Sequence, residues 1–223
     1  MSADRGLRGY RVQDPERTLA RRREIMLAMA DVVSDKGYAE TTLEDVAARM
    51  GTSRAVIYYQ FRNKEDLYVE LLVDAVAVAT ERLLAIVQRR LPPPQALFAA
   101  LQDLVAVGST PINHSTLRIG RPRTLSREAH HRIRAADREY ESLLRGIIEE
   151  GIQSGDFKPV DPSFLTFTLI FSVNQSFALR RVPGRFAETL FDDTLPRMLM
   201  DSLLAHPCDY HAHSEAPAPR TLT

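Results

Sequence analysis

An all-α fold is predicted for this chain of 223 residues. Three observations carry the prediction. Apolar residues recur at three- and four-residue intervals along most of the length, helix-capping and helix-stopping residues fall between those runs, and no segment alternates with a strand period. An apolar share of 44% and a charged share of 26% are those of an ordinary globular protein, and the length allows a substantial core. The predicted division is a three-helix unit over residues 18–63 and a six-helix unit over 64–206, between a flexible arm, 1–17, and a disordered tail, 207–223.

The arm has no hydrophobic period. Within residues 1–23, seven arginines oppose Asp4, Asp14 and Glu16, a local surplus of four positive charges in a chain whose net charge is zero. Such a segment is either a plain tail or an arm that reaches an adjacent minor groove. Ile25, Ala28, Met29, Val32 and Val33 then share one face of a helix from about Thr18 to Lys36, and Gly37 ends it. Thr41 and Glu44 have the spacing of a capping box, and Leu43, Val46, Ala47 and Met50 form the apolar face of the helix they start. Gly51-Thr52-Ser53 breaks that helix, with Ser53 or Thr52 placed to cap the next. Residues 54–61 make a helix of barely two turns, Val56, Ile57 and Phe61 inward and Arg54, Ala55 and Tyr59 outward. Asn63 with Asp66 starts another helix at Lys64. Helix, three-residue turn, short helix is the helix-turn-helix arrangement that sets its second helix into a DNA major groove.

The run Gly37-Tyr38, Thr41-Thr42, Asp45-Val46-Ala47, Gly51-x-Ser53 and Ile57-Tyr58-Tyr59-x-Phe61-x-x-Lys64-Glu65-x-Leu67 resembles the DNA-binding domain of the TetR (tetracycline repressor) family. That resemblance implies DNA contacts from Thr42, Thr52, Ser53, Arg54, Ala55, Tyr58, Tyr59 and Lys64. Thr52, Ala55 and Gln60 stand where the family often has Val, Gly and His, which bears on the operator sequence rather than the fold. The residue chemistry agrees. Arg54 can grip a guanine bidentately, and Ala55 or the Tyr59 ring can meet a thymine methyl. Thr42, at a helix N-terminus, suits a phosphate, as does Lys64. Tyr58 offers a hydroxyl to DNA or a ring to the core.

From Lys64 to about Arg90 one long helix leaves this unit as a lever, with Leu67, Leu71, Ala75, Val78, Arg82 and Ile86 along one face. Pro92-Pro93-Pro94 stops it, and a helix to Gly108 follows. A short helix is predicted around His114 to Ile119 and a long one over 126–154, ended by Gly155. Asp161-Pro162 starts the next, FLTFTLIFSVNQSFALRR, apolar nearly all round and therefore buried on two sides. The last helix, about 185–205, contains Pro196, which should kink or split it. These last two helices are predicted to pair across a two-fold axis through Phe164, Phe167, Phe171, Leu195, Met198, Leu199 and Leu203.

Candidate walls of an effector pocket in the larger unit are Phe98, Leu101, Val105, Leu117, Tyr140, Leu144, Asn174 and Phe177, with Arg118 at its mouth. Residues 118–138 carry seven arginines against Glu128 and Asp137, either a solvated face or an anion site. The stretch from Arg121-Pro122 to Gly155-Asp156-Phe157-x-Pro159-Val160-Asp161 resembles TetR regulators of lipid or steroid catabolism, which implies an acyl-CoA or similar hydrophobic effector.

No Gly-x-Ser-x-Gly elbow, His-Glu-x-x-His or phosphate-cradling glycine loop is present, so an enzyme is not predicted, nor is a cofactor. His206, His211, His213 and Cys208 fall in the predicted tail, and no metal is assigned to them. With no apolar run of about eighteen residues, no membrane span or secretory signal is predicted, and a single cysteine suits a reducing cytoplasm. The reading is a ligand-responsive regulator, a repressor by default, that binds a near-palindromic operator as a homodimer. An activator, or an interaction module of the same fold without DNA contact, is the alternative.

Overall fold

The computed structural model describes residues 15–110, 121–179, 190–208 and 210. Its helices are α1 (Pro15–Glu40), α2 (Leu43–Arg49), α3 (Arg54–Gln60), α4 (Lys64–Gln88), α5 (Pro93–Gly108), α6 (Arg127–Gln153), α7 (Pro162–Leu179) and α8 (Leu195–Leu203). The arm up to residue 14, the helix predicted around His114 to Ile119, residues 180–189 and the tail from 211 lie outside the described residues, and Leu117 and Arg118 with them.

α1 begins three residues before the predicted start, at Pro15, because a proline at the first helical position lacks only an N–H that would be unpaired there. Its winding breaks at Gly37, whose φ of 83° is disfavoured for every residue with a Cβ. The capping box sits one residue later than predicted. Thr42, not Thr41, is the N-cap of α2, and Asp45, not Glu44, closes the box. Thr41 is buried and donates its hydroxyl to the Gly37 carbonyl at 2.7 Å, so it cannot serve α2. Asn63 caps α4 through the Asp66 amide at 2.8 Å, and Asp161 caps α7 through the Phe164 amide at 2.6 Å.

Two cores form. The first joins α1, α2, α3 and the first half of α4 (Leu67 to Ala75), and it also takes in Leu125 just before α6 and Ala129 and Ile133 from its start. The second joins the far half of α4 to α5, α6, α7 and α8. The predicted boundary at residue 64 is therefore not a packing boundary: α4 and α6 pass through both cores.

Within the single chain α7 buries one of its two apolar sides. Leu165, Leu169, Val173 and Phe177 face the core, while Phe164, Phe167 and Phe171 are 66%, 65% and 52% exposed. Pro196 does divide the last helix: Leu190–Thr194 is wound as a π-helical turn and α8 begins at Leu195. A proline clashes with the carbonyl four residues back, and the wider turn relieves that contact. The tail expectation is corrected at Tyr210. This ring is buried, lies edge-on to Phe98 at 4.9 Å, and donates its hydroxyl to Asp201 at 2.7 Å.

α6 closes tightly against the loop at its C-terminal end. Gly155 takes φ 82°, and Phe157 folds back so that its amide donates to the Gly151 carbonyl at 3.0 Å. A Cβ at Gly151 would sit 2.2 Å from two ring carbons of Phe157, itself fully buried. Overpacking costs about 1–3 kcal/mol, and the helix preference of alanine returns about 1 kcal/mol. Gly151→Ala is thus expected to lower the melting temperature by several degrees; an unchanged melt means that the ring moves aside freely.

Candidate DNA interface and effector cavity

The turn between α2 and α3 presents the predicted groove residues together. Arg54, Ala55 and Tyr59 are exposed on the outer face of α3, Tyr59 by 68%. Tyr58 is exposed as well, so it belongs to this face and not to the core. Its hydroxyl lies 2.8 Å from an Arg54 nitrogen, and the guanidinium stacks over its ring at 4.8 Å. Glu44 of α2 pairs with the same guanidinium, which sequence reasoning missed. The Arg54 guanidinium is thereby held between Tyr58 and Glu44. An exposed pair of this kind is worth only about 0–1 kcal/mol, so it can be broken at small cost.

Ser53 is the N-cap residue of α3 by backbone conformation but makes no side-chain bond, and the Thr52 hydroxyl accepts from Arg21 at 3.3 Å. Lys64, expected at a phosphate, also bonds within the unit. Its ammonium donates to the carbonyls of Tyr38 and Ala39 at 3.0 and 3.1 Å and lies over the Tyr38 ring, tying the start of α4 to the end of α1. Thr42 is exposed at the head of α2, where its hydroxyl meets Asp45 at 2.6 Å.

Hydrogen bonds from Lys36, and then from the Thr42 hydroxyl and amide, hold the Asp45 carboxyl at about 2, below its ordinary 3.8. A depressed carboxylate stabilises the fold above its ordinary value and loses that contribution as the pH falls through the lower one. An NMR titration of Asp45 should therefore have its midpoint near 2. A midpoint at 3.8 would mean that the cap is not made in solution.

A second concavity, of about 510 Å³, lies among α4, α5, α6 and α7. Ala75 and Ala79 of α4 and Gly108 of α5 leave the space, and Leu72, Leu104, Ile133 and Ile170 wall it. Polar groups are few: Arg121, Asp137, Tyr140, Glu141, Asn174 and Gln175. Phe167 and Phe171 line it while remaining exposed, so it reaches the surface on that side. Burial first, and the Asp103 charge second, raise the Tyr140 phenol, which keeps it a neutral donor.

Of the pocket residues named from sequence, Tyr140 and Asn174 line the cavity. Phe98, Leu101, Val105, Leu144 and Phe177 instead fill the second core, because large apolar side chains close space rather than leave it. A signal for this wall was present: Leu72, Ala75, Val76 and Ala79 follow helical spacing, with small residues among them. The arginine-rich stretch is divided in use. Arg121 pairs with Asp137 at 2.6 Å, Arg132 pairs with Asp66 and Glu70, and Arg123, Arg127, Arg134 and Arg138 are exposed. Among the residues named for pairing, Phe164, Phe167, Phe171 and Met198 are exposed. Leu203 is buried within the chain, and Leu195 and Leu199 are partly buried against its second core. Among the described residues no three His, Cys, Asp or Glu side chains meet as a metal site, and no helix is long and apolar enough to cross a membrane.

Residues 25–71 match the bacterial regulatory proteins of the tetR family, and residues 90–201 match the Tetracyclin repressor-like C-terminal domain. The chain belongs to the tetR family. Its helix-turn-helix and its α-helical C-terminal domain are those of this family's transcriptional regulators. Among curated relatives, the Fatty acid metabolism regulator protein of Bacillus subtilis (strain 168) is 24% identical over 135 residues, covering 60% of this chain and 70% of that one. Two solved structures share the fold. AibR in complex with isovaleryl coenzyme A and operator DNA has a TM-score of 0.70 at 24% identity, over 82% of this chain and 97% of that one. FadR from Bacillus subtilis in complex with stearoyl-CoA has a TM-score of 0.67 at 20% identity, over 80% and 97%. The tetR-family assignment accounts for the exposed outer face of α3 and for a cavity in the larger domain.

Proposed function

We propose that this tetR-family regulator is a repressor whose homodimer binds a near-palindromic operator and leaves it when a hydrophobic effector enters the cavity. One observation carries the reading: Ile133 lines the cavity and packs in the same core as the recognition unit. A ligand that moves α6 therefore acts on the packing beneath α3. The DNA-contacting side chains are Thr42, Thr52, Ser53, Arg54, Ala55, Tyr58 and Tyr59, with Arg54 and Tyr59 reading bases. Lys64 holds the unit together, and its third N–H is left for a phosphate. Phe164, Phe167, Phe171 and Met198 form the dimer face, because an exposed aromatic row on a buried helix needs a partner. Repression follows from a dimer obstructing a promoter, and the work is done in the cytoplasm, where the DNA lies.

The effector class is an acyl-CoA. The walls are mostly apolar, which suits an acyl chain, and Tyr140 and Asn174 offer donors to a thioester carbonyl. The phosphates would lie outside on Arg134 and Arg138, exposed one turn apart on α6. AibR and FadR, with isovaleryl coenzyme A and stearoyl-CoA bound, support this choice.

The test is fluorescence anisotropy on duplex DNA taken from upstream of the protein's own gene. Affinity is expected to fall steeply with salt, to drop about tenfold or more in Tyr59→Ala, and to drop on adding palmitoyl-CoA. Salt-insensitive or absent binding rejects the DNA reading and leaves an interaction module. Calorimetry without heat for any long-chain acyl-CoA rejects the effector class alone.

A further inference from the structure

Three charged side chains join the cavity helix to the end of α3. Arg22 of α1 donates to the Gln60 carbonyl at 2.7 Å, and Gln60 is the last residue of α3. The same guanidinium lies 4.4 Å over the Phe61 ring, and its other terminal nitrogen is 3.8 Å from Oε1 of Glu70 on α4. That same oxygen accepts from Arg132 of α6 at 2.8 Å. Arg132 is followed directly by Ile133 and then by Asp137 and Tyr140, all of which line the cavity. One carboxylate oxygen thus stands between two guanidinium groups, close to the one on α6 and loosely placed toward the one that holds α3.

α3 needs such a hold. It has seven residues, its N-cap makes no side-chain hydrogen bond, and Ile57 is its one buried residue, so its tilt rests on Ile57, on the buried Phe61 that follows it, on the exposed Glu44–Arg54 pair and on the Arg22 bond. We propose that Glu70 is a positioning residue through which the place of α6 sets the grip of Arg22 on the recognition helix, an inference that rests on the DNA-binding reading above. With α6 as found, Arg132 engages Oε1 and Arg22 stays on the Gln60 carbonyl. When α6 draws away, Glu70 is left with Arg22 as its nearest cation, and charge attraction moves that guanidinium off the carbonyl. α3 then loses its C-terminal tie, and the pair of recognition helices no longer matches the operator. The nearby tie between Glu65 and Ser126, made through both carboxylate oxygens, keeps the head of α6 attached while this exchange occurs.

The relay makes a specific forecast for variants in the absence of any effector. Arg132→Gln mimics the withdrawn helix, so affinity for DNA is expected to fall about threefold to fivefold, the scale of a partly exposed ion pair. Glu70→Gln alone should leave affinity near that of the parent, because Arg22 keeps its carbonyl. The double variant should return to the parent value, because no carboxylate remains to attract Arg22. A merely structural ion pair would lose affinity in Glu70→Gln as in Arg132→Gln, whereas the relay predicts a loss from Arg132→Gln alone and its reversal in the double variant. The probe is a fluorescein-labelled duplex that the unmodified protein selects from a random library, read by anisotropy at one salt concentration. Circular dichroism melts identify any variant that fails to fold, and Arg132→Lys, which keeps a cation, should then show a smaller loss. Affinities of all variants within twofold of the parent, a Glu70→Gln loss as large as that of Arg132→Gln, or a double variant no better than Arg132→Gln overturns the relay. Failure of the parent protein to select any duplex rejects the DNA reading and the relay with it, and cannot be confused with either result.

Discussion

Alanine at position 103 is expected to lower the stability of the larger domain by about 3–5 kcal/mol, the cost of removing one partner of a buried ion pair. Asp103 of α5 takes Arg82 of α4 through two guanidinium nitrogens, the Nε contact at 2.9 Å. The two side chains are 5% and 17% exposed, so Arg82 would be left charged and largely dry. At about 2–4 °C per kcal/mol for a chain of this size, the melting temperature should fall by roughly 10 °C. Replacing both residues, as in Arg82→Met with Asp103→Leu, is expected to restore most of the loss or to exceed the parent. A melt of Asp103→Ala within a degree or two of the parent would show that water reaches the pair. The pH dependence of this carboxyl has the opposite sign to that of Asp45. Burial raises Asp103, and the Arg82 bond offsets only part of the rise. Its proton-linked contribution is therefore complete below the ordinary carboxylate value and declines as the pH rises through the higher one. Acid loss of stability should come from groups such as Asp45, and Asp103→Ala should not sharpen it.

The second large effect concerns assembly. Phe164→Glu combined with Met198→Glu is expected to leave the fold intact, since the parent side chains are 66% and 60% exposed and neither lines the cavity. In a dimer the same carboxylates would be dehydrated without partners, four of them per interface. The dimer dissociation constant should rise about a hundredfold or more, read by sedimentation equilibrium, and operator affinity should collapse with it because one monomer spans only one half-site. A variant that sediments like the parent would move the dimer contact off this face of α7 and α8.

Helix ends and the recognition unit were legible because their signals are short. Gly37, Asn63 with Asp66, and Asp161-Pro162 act through backbone groups within a few residues, so cause and effect lie together in the chain. The capping box shows where that stops. Thr41 and Thr42 are equivalent in a linear reading, and only the Gly37 carbonyl, brought round by the break in α1, decides which hydroxyl is free to cap. The internal bonds of Lys64 were out of reach for the same reason, since its two carbonyl partners lie at Tyr38 and Ala39.

By itself, then, the sequence determined an all-α tetR-family chain, the limits of most helices and the outward face of α3. The cavity wall, the burial of Tyr210, the inward turn of Leu203 and the sharing of Glu70 by two arginines were decided by tertiary structure alone. A cap depends on bonds to near neighbours. A cavity is the volume left over when four helices from distant parts of the chain have packed, and a shared carboxylate depends on which guanidinium groups that packing brings within reach; no window of sequence contains either.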